Sequence, residues 1–399
     1  MKTKLSLAVA SALLAVASSA NAGISIPAGD WTVDIGGNVN AFYIHNNSSD
    51  SNAVAGGLAN TKSTTSSGSS ASSINTGLLP SWLGISAKTR ENDLDVGWTV
   101  SFQPGASASH ALSGGSASEF RQAFLTFGDK SWGSIKLGKD LGLFGQDAIL
   151  NDQTLLGVGS QGLVGAAGGT TTTLGRIGTG FLYADFTGQI EYTSPNWSGF
   201  SFNAEIAQPW SAIGPASGGT ASTQKQPAFE GNVNYAWTGD FAGKVWAEGY
   251  TQKVDGVTAT ASGRGNVWGL GGKVGFAGFG LTGYYYDGEG VGTTALEFQA
   301  FSPTGGRRDS NGGYVQLDFT IPGVGTKIAG SWGESRLDLA SGEVNPTLVK
   351  KNEMWTLGAY HPLTKHVNLV AEYSNVRAEN QVGARNTSNI VDFGAILFF

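Results

Sequence analysis

The stretch Leu94-Asp95-Val96-Gly97-Trp98-Thr99-Val100-Ser101-Phe102-Gln103 decides the fold. Its apolar residues fall on every second position, with small or polar residues between them. Successive side chains of an extended strand point to opposite faces, so the stretch has one apolar and one polar face. Asn389 to Phe399 repeats the pattern: Val391, Phe393, Ala395, Leu397 and Phe399 share a face, with Asp392 and Gly394 opposite. Two-faced strands build either a soluble β-sandwich or a membrane barrel. Strand count and connections separate the two.

About sixteen segments alternate in this way, at roughly 30–45, 80–90, 93–103, 119–128, 132–139, 188–194, 199–208, 228–238, 241–254, 265–276, 279–288, 312–321, 326–338, 353–361, 367–378 and 389–399. Most are 8 to 13 residues long, about what a tilted strand needs to cross a bilayer. Each even-numbered segment is followed by a short turn, such as Glu91-Asn92, Pro195-Asn196 or Thr364-Lys365. Each odd-numbered one is followed by a longer connection: 46–79, 104–118, 140–187, 209–227, 255–264, 289–311, 339–352 and 379–388. A sandwich has no reason to sort its loops by parity, whereas short periplasmic turns and long outer loops are the rule in membrane barrels. An even strand count then puts both termini on the periplasmic side. In lipid every backbone N–H and C=O must be paired within the protein, so the first and last segments must pair with each other. The expected fold is therefore all-β: one closed, antiparallel transmembrane barrel. Trp31, Trp82, Trp132, Trp197, Phe200 and Tyr360, near segment ends, are expected in the interfacial aromatic girdles.

The N-terminus fits export. Lys2 and Lys4 precede a short apolar stretch, Leu5 to Ala17, and Ala20-Asn21-Ala22 reads as a cleavage site. Residues 1–22 are expected to be a cleaved signal peptide, leaving 23–399 as the barrel domain. Removing two lysines and no acids takes the formal charge from −6 to −8. That acidic balance excludes nucleic acid as a partner. The chain has 61 glycines, 14% charged residues and no cysteine, which rules out thiol catalysis and thiolate metal sites. No mature segment approaches 18 consecutive apolar residues, so helical spanning is excluded.

Glu119 to Lys139 reads E-F-R-Q-A-F-L-T-F-G-D-K-S-W-G-S-I-K-L-G-K. This resembles the Gram-negative porin family, in its trimeric general-diffusion branch. Ser81-Trp82-Leu83-Gly84-Ile85, the block Ile190 to Phe200, Leu357-Gly358-Ala359-Tyr360 and the terminal Phe399 match in order. The resemblance implies a sixteen-stranded homotrimeric porin in the outer membrane whose third outer loop folds into the pore, with Phe399 as the assembly signal. Connection 140–187, the longest, follows the fifth segment, as that role requires. Some positions depart from the family pattern. Lys139 stands where the family has Arg, Trp82 replaces a basic residue, and Leu143-Phe144-Gly145-Gln146-Asp147 replaces an acidic-aromatic loop motif.

A pore needs no catalytic residue. It selects by charges on opposite walls of a wet constriction. Alternation assigns these charges: Leu83, Ile85 and Ala87 outward put Lys88 and Arg90 inward; Phe120 and Phe124 outward put Arg121 inward; Ile135 and Leu137 outward put Lys136 inward. Lys139 lies at a strand end. Asp147 and Asp152 are in the third loop, with Arg176 near its end. These eight residues are the expected constriction. The expected function is passive diffusion of small ions and hydrophilic solutes. A substrate-specific channel, or a plugged barrel acting as a surface adhesin, is the alternative. The surroundings would be outer-membrane lipid and lipopolysaccharide. No cofactor or metal is expected. His45, His110, His361 and His366 flank turns or sit in loops with no catalytic spacing, and Gly269 to Gly275 lies in an alternating strand with no following helix, so no enzyme is expected.

Overall fold

The computed structural model describes residues 23–62, 69–106, 118–161, 172–210, 224–258 and 261–399. The expected signal peptide and His110 lie outside them. Nineteen strands form one antiparallel sheet. Three are short: β1 (Ile24–Ala28), β3 (Ser70–Asn75) and β6 (Ser118–Glu119). The other sixteen make the wall: β2 (Trp31–Ser48), β4 (Trp82–Glu91), β5 (Leu94–Pro104), β7 (Ala123–Asp129), β8 (Gly133–Leu141), β9 (Phe186–Thr193), β10 (Phe200–Ala207), β11 (Ala228–Trp237), β12 (Ala242–Asp255), β13 (Ser262–Phe276), β14 (Phe279–Glu289), β15 (Asp309–Thr320), β16 (Lys327–Leu337), β17 (Val349–Pro362), β18 (Val367–Asn380) and β19 (Arg385–Phe398).

Each wall strand pairs with the next, and β19 pairs with β2, so the barrel closes. At the seam Phe398 opposes Asn38, and Phe399 exchanges both backbone hydrogen bonds with Gly37 at 3.0 Å. Beyond that point β1 takes over, pairing Ile24 to Ala28 with Ile35 to Trp31. The opposite edge of β2 is shared in the same way, β4 pairing with its first half and β3 with its second. The first strand thus has partners along its whole length, as lipid demands.

The faces are inverted relative to a soluble protein. Val39, Val100, Leu125, Ile190, Leu270, Leu317, Leu357 and Phe393 are exposed on the outside, while Asn38, Gln103, Asn203, Glu230, Gln252, Gln316 and Glu372 are buried within. At the short-turn end Trp132, Trp197 and Phe200 are exposed, and Phe241 stacks on Phe276 at 4.2 Å and Phe279 on Phe319 at 4.5 Å. Trp82 and Tyr360 are not part of this girdle. Both share the buried, inward face of their strands.

Two further expectations are corrected. Phe124 faces inward, not outward, because residues 120–122 break the strand between β6 and β7 and shift the alternation. The connections between β12 and β13 and between β18 and β19 are shorter than the sequence suggests, 256–261 and 381–384. Backbone pairing continues past the end of the apolar face, since a ladder needs no lipid-facing side chains. The polar pair Arg377 and Glu353, for example, sits in register across β17 and β18.

A Cβ at Gly37 would fall 2.0 Å from the Trp82 carbonyl oxygen, whereas one at Gly36 would meet nothing closer than 3.3 Å. Gly37→Ala should therefore destabilise the seam by about 1–3 kcal/mol and lower the temperature of the heat-modifiable gel shift. Gly36→Ala should shift it less. Equal shifts would mean that the seam does not limit stability.

Candidate functional site

The described parts of the β8–β9 connection, residues 142–161 and 172–185, lie inside the barrel, held by backbone hydrogen bonds to wall side chains and by buried apolar packing. The amides of Leu143, Phe144 and Gly145 donate to Glu205 (3.4 Å), Glu230 (2.7 Å) and Glu248 (3.0 Å). Gly145 has φ 82°, a left-handed conformation that points successive N–H groups at a shared acidic surface. A short helix, α1 (Gln146–Asn151), follows, with its Ala148 carbonyl accepting from the Tyr314 hydroxyl at 2.8 Å. After a 3-10 turn, Gln153–Leu156, the amides of Val158 and Gly159 both donate to Glu372 at 2.9 Å. Tyr284 donates to the same Glu248 oxygen as Gly145 (2.6 Å), and Tyr360 to the second Glu372 oxygen (2.5 Å).

Two of these carboxylates, Glu205 and Glu230, stand in register with a third, Glu191. Lys136 opposes Glu191 across β8 and β9, Glu191 opposes Glu205 across β9 and β10, and Glu205 opposes Glu230 across β10 and β11. Like charges directly opposite each other are unfavourable. Lys136 meets one end of the row, bonding Glu191 and Asp140 at 2.7 Å each, and the loop amides meet the other. Sequence reading missed Glu191, Glu205, Glu230, Glu248 and Glu372. Their signal was a lone Glu on the inward parity of an alternating strand.

The expected constriction residues scatter. Lys88, with its side chain 69% exposed, lies near the short-turn end and pairs with Asp34 at 3.0 Å. Arg90 is at that same end, bridging Asp95 (2.8 Å) and Asp129 (3.0 Å). Lys136 faces inward but is only 8% exposed beneath the loop. Lys139 faces outward: β8 runs on to Leu141, so Lys139 shares the face of Ile135 and Leu137, and its Nζ donates to the Phe120 carbonyl at 2.9 Å. Asp152 and Arg176 form a fully buried ion pair at 3.5 Å. Arg176 also bonds the Met354 carbonyl at 3.1 Å and the Ser331 hydroxyl, so it fastens the loop to the wall and does not line an open path. Asp147 bonds Lys244 of β12 at 2.5 Å. Arg121 faces the gap beside the loop, bonded to Glu119 at 2.8 Å and lying over the Phe186 ring at 5.4 Å. Among the described residues no group of three or more His, Asp or Glu side chains is placed to hold a metal ion.

The β14–β15 connection, residues 290–308, backs the third loop. The Tyr183 amide donates to the Thr294 carbonyl at 2.9 Å, and Tyr250 bonds Glu297 at 3.0 Å. Thr294, Glu297 and Gln299 all have positive φ, a strained arrangement that the packing enforces. Burial pushes the Glu297 carboxyl up to about 8, against the opposing pull of the Tyr250 hydrogen bond.

A family model described as Gram-negative porin matches residues 8–381. A comparison with curated proteins finds none that matches. Among solved structures, the fold is similar to the outer membrane channel DcaP of Acinetobacter baumannii: TM-score 0.68, 14% identity, 95% of this chain and 100% of that one covered. It is similar to the trimer form of OmpT of Vibrio cholerae, with TM-score 0.52, 13% identity and 92% and 99% covered. Salmonella typhi OmpF in complex with daunomycin gives TM-score 0.57, 14% identity and 94% and 100% covered.

Two outcomes are expected here. Glu248→Ala leaves the Gly145 amide and the Tyr284 hydroxyl without their acceptor, a loss of about 1–3 kcal/mol, and should speed amide exchange and proteolysis within 142–161. Unchanged exchange would show that the loop is held elsewhere. Glu297 holds a proton in the folded state that the unfolded chain releases from near its ordinary value, so its contribution to stability falls as pH rises toward about 8. Glu297→Gln should flatten the pH slope of thermal stability between about pH 5 and 8, by at most about 1.4 kcal/mol per unit. Parallel slopes would sink this assignment.

Proposed function

Because the chain belongs to the Gram-negative porin family and is an outer-membrane channel for passive diffusion, we propose that solutes cross it between the third loop and the wall of β2, β4, β5 and β9, past Arg121. The observation that carries this is the course of the third loop, which runs inside the barrel and is bonded to inward-facing side chains of β10, β11, β12, β15 and β18. On the other half the loop touches the wall at fewer points, Gln161 with Asn46 of β2 and Ser73 of β3, and passage is left beside them.

Of the eight charges expected at the constriction, this reading keeps Arg121 on the path. Asp147, Asp152 and Arg176 hold the loop in place, Lys136 balances Asp140 and Glu191 of the wall, and Lys88 and Arg90 brace the periplasmic end. Lys139 is on the outer surface. The chemistry is diffusion without catalysis, and the buried carboxylates Glu205, Glu230, Glu248 and Glu372 are occupied as acceptors of loop amides. The assembly is a homotrimer in this reading, supported by the trimer form among the similar folds. The exposed apolar belt meets lipid, and lipopolysaccharide in the outer leaflet.

Single-channel conductance of refolded protein in a planar bilayer, with reversal potential under a salt gradient, tests the proposal. Stable ohmic steps in threes are expected. Arg121→Ser should raise the cation-to-anion permeability ratio about two- to fivefold, the effect of about 0.5–1 kcal/mol from one charge in a wet passage. A silent bilayer from protein whose folding is confirmed by gel mobility would favour a plugged barrel instead, and an unmoved reversal potential would take Arg121 off the path.

A further inference from the structure

The gap beside the third loop is a cavity of about 240 Å³. Trp82, Phe186 and Phe398 line it from the barrel, Leu155 and Ile177 from the third loop, and Leu78 from the connection before β4. All six are buried and apolar. Trp82 stands where the family resemblance implied a basic residue. Its indole lies over Gly84, where a Cβ would come within 2.2 Å of the ring, and its Nε1 has no hydrogen-bond partner among the described residues. The charged groups of the lining are Glu119, Arg121 and Asp185. Glu119 and Arg121 are bonded to each other at 2.8 Å, so Asp185 leaves the lining with a formal charge of −1.

Apolar walls are a poor surface for a hydrated ion or a sugar, which loses water contacts there and gains no hydrogen bonds. They favour a solute with an apolar body of its own. A cavity of about 150 Å³ holds benzene, so this one has room for a ring with a short polar arm. The lining's formal charge of −1, its carboxylate Asp185 accepting from the Phe186 amide at 2.8 Å, favours a positive head.

We propose that this cavity is a binding site, on the path through the channel, for a small amphipathic cation: one apolar ring or branched chain carrying a single ammonium group. The inference rests on the reading of the lumen as an open channel. Such a solute places its ring among Trp82, Phe186 and Leu155 and its ammonium toward Asp185. The channel then favours solutes of this class over hydrophilic solutes of equal size.

The test is block of single-channel current by phenethylammonium, methylammonium and phenylacetate. Phenethylammonium should block saturably, at a concentration at least about tenfold below that of methylammonium, as burial of a ring implies. It should also act below the concentration of phenylacetate. Trp82→Gln and, as an independent change on the loop side, Leu155→Ala should each weaken the phenethylammonium block several-fold and leave the methylammonium block unmoved. Asp185→Asn should weaken both ammonium blocks. Equal block by the two ammonium ions in conducting channels overturns the apolar site. Stronger block by phenylacetate overturns the cationic class. Folded barrels that conduct nothing overturn the channel reading and this inference together, whereas conduction without block removes the inference alone.

Discussion

Pairing of the backbone inside lipid is the constraint on which everything else depends. An unpaired N–H or C=O in the hydrocarbon core costs several kcal/mol, so a sheet can cross only if it has no edge. Closure is needed most at the junction of the first and last strands, and here β2 is covered on both edges by two partners in series, β19 then β1, and β4 then β3. The terminal residue takes part directly: Phe399 exchanges both its backbone bonds with Gly37. That assigns the C-terminal Phe a structural task at the seam, whatever else reads it during assembly.

Closure has a consequence for the interior. Sixteen alternating strands that give their apolar side to lipid turn a largely polar side inward, and the third loop buries Phe144, Val158, Phe181 and Leu182 there in one cluster with Phe42, Ile44, Tyr250 and Tyr314 of the wall. The loop is fixed by a second interaction as well, backbone amides donating to wall carboxylates. Glu205, Glu230, Glu248 and Glu372 take this part from strands that the barrel holds rigid. Amide donors suit a row of acids that oppose one another in register, because each N–H satisfies a carboxylate without adding a like charge. Around this frame, buried side-chain pairs such as Arg176 with Asp152 fix the loop at further points.

The barrel was legible in the sequence because period-two alternation is a local property of each strand. All sixteen wall segments can be read from it, and the short turns mark their ends. What alternation does not report is how far a ladder continues once it leaves lipid, which is why the 381–384 turn looks longer in sequence than it is. Parity also fails wherever a strand is interrupted. Arg121 and Phe124 are separated by such a break, so Phe124 turns inward although its spacing from Phe120 suggests otherwise. Lys139 shows the converse, since the strand continues where the sequence suggests an end and carries the side chain outward. The site was less legible for another reason. A basic residue reads the same in sequence whether it meets a solute or a buried carboxylate, and Lys136 meets Asp140 and Glu191 of the wall while Arg176 meets Asp152 within the loop. Only the path of the third loop distinguishes these cases, and that path is fixed by glutamates more than fifty residues further along the chain.

The same path determines which charges a permeating solute meets. The chain carries a formal charge of −6, and a reading by net charge would make its lumen a cation channel throughout. Much of the inward-facing acid, however, is beneath the loop, with Glu205, Glu230, Glu248 and Glu372 all buried. Charges covered in this way shape the field weakly at the passage, since loop amides and Lys136 lie between them and the solute. The local balance along the passage is set by three groups, Glu119, Arg121 and Asp185, against an apolar wall. In a lining of low polarity a net charge is screened less than on a wet surface, so the single formal unit of the lining weighs more there than the larger total outside it. Selectivity in such a barrel is therefore a property of the loop's attachment before it is a property of the chain's composition.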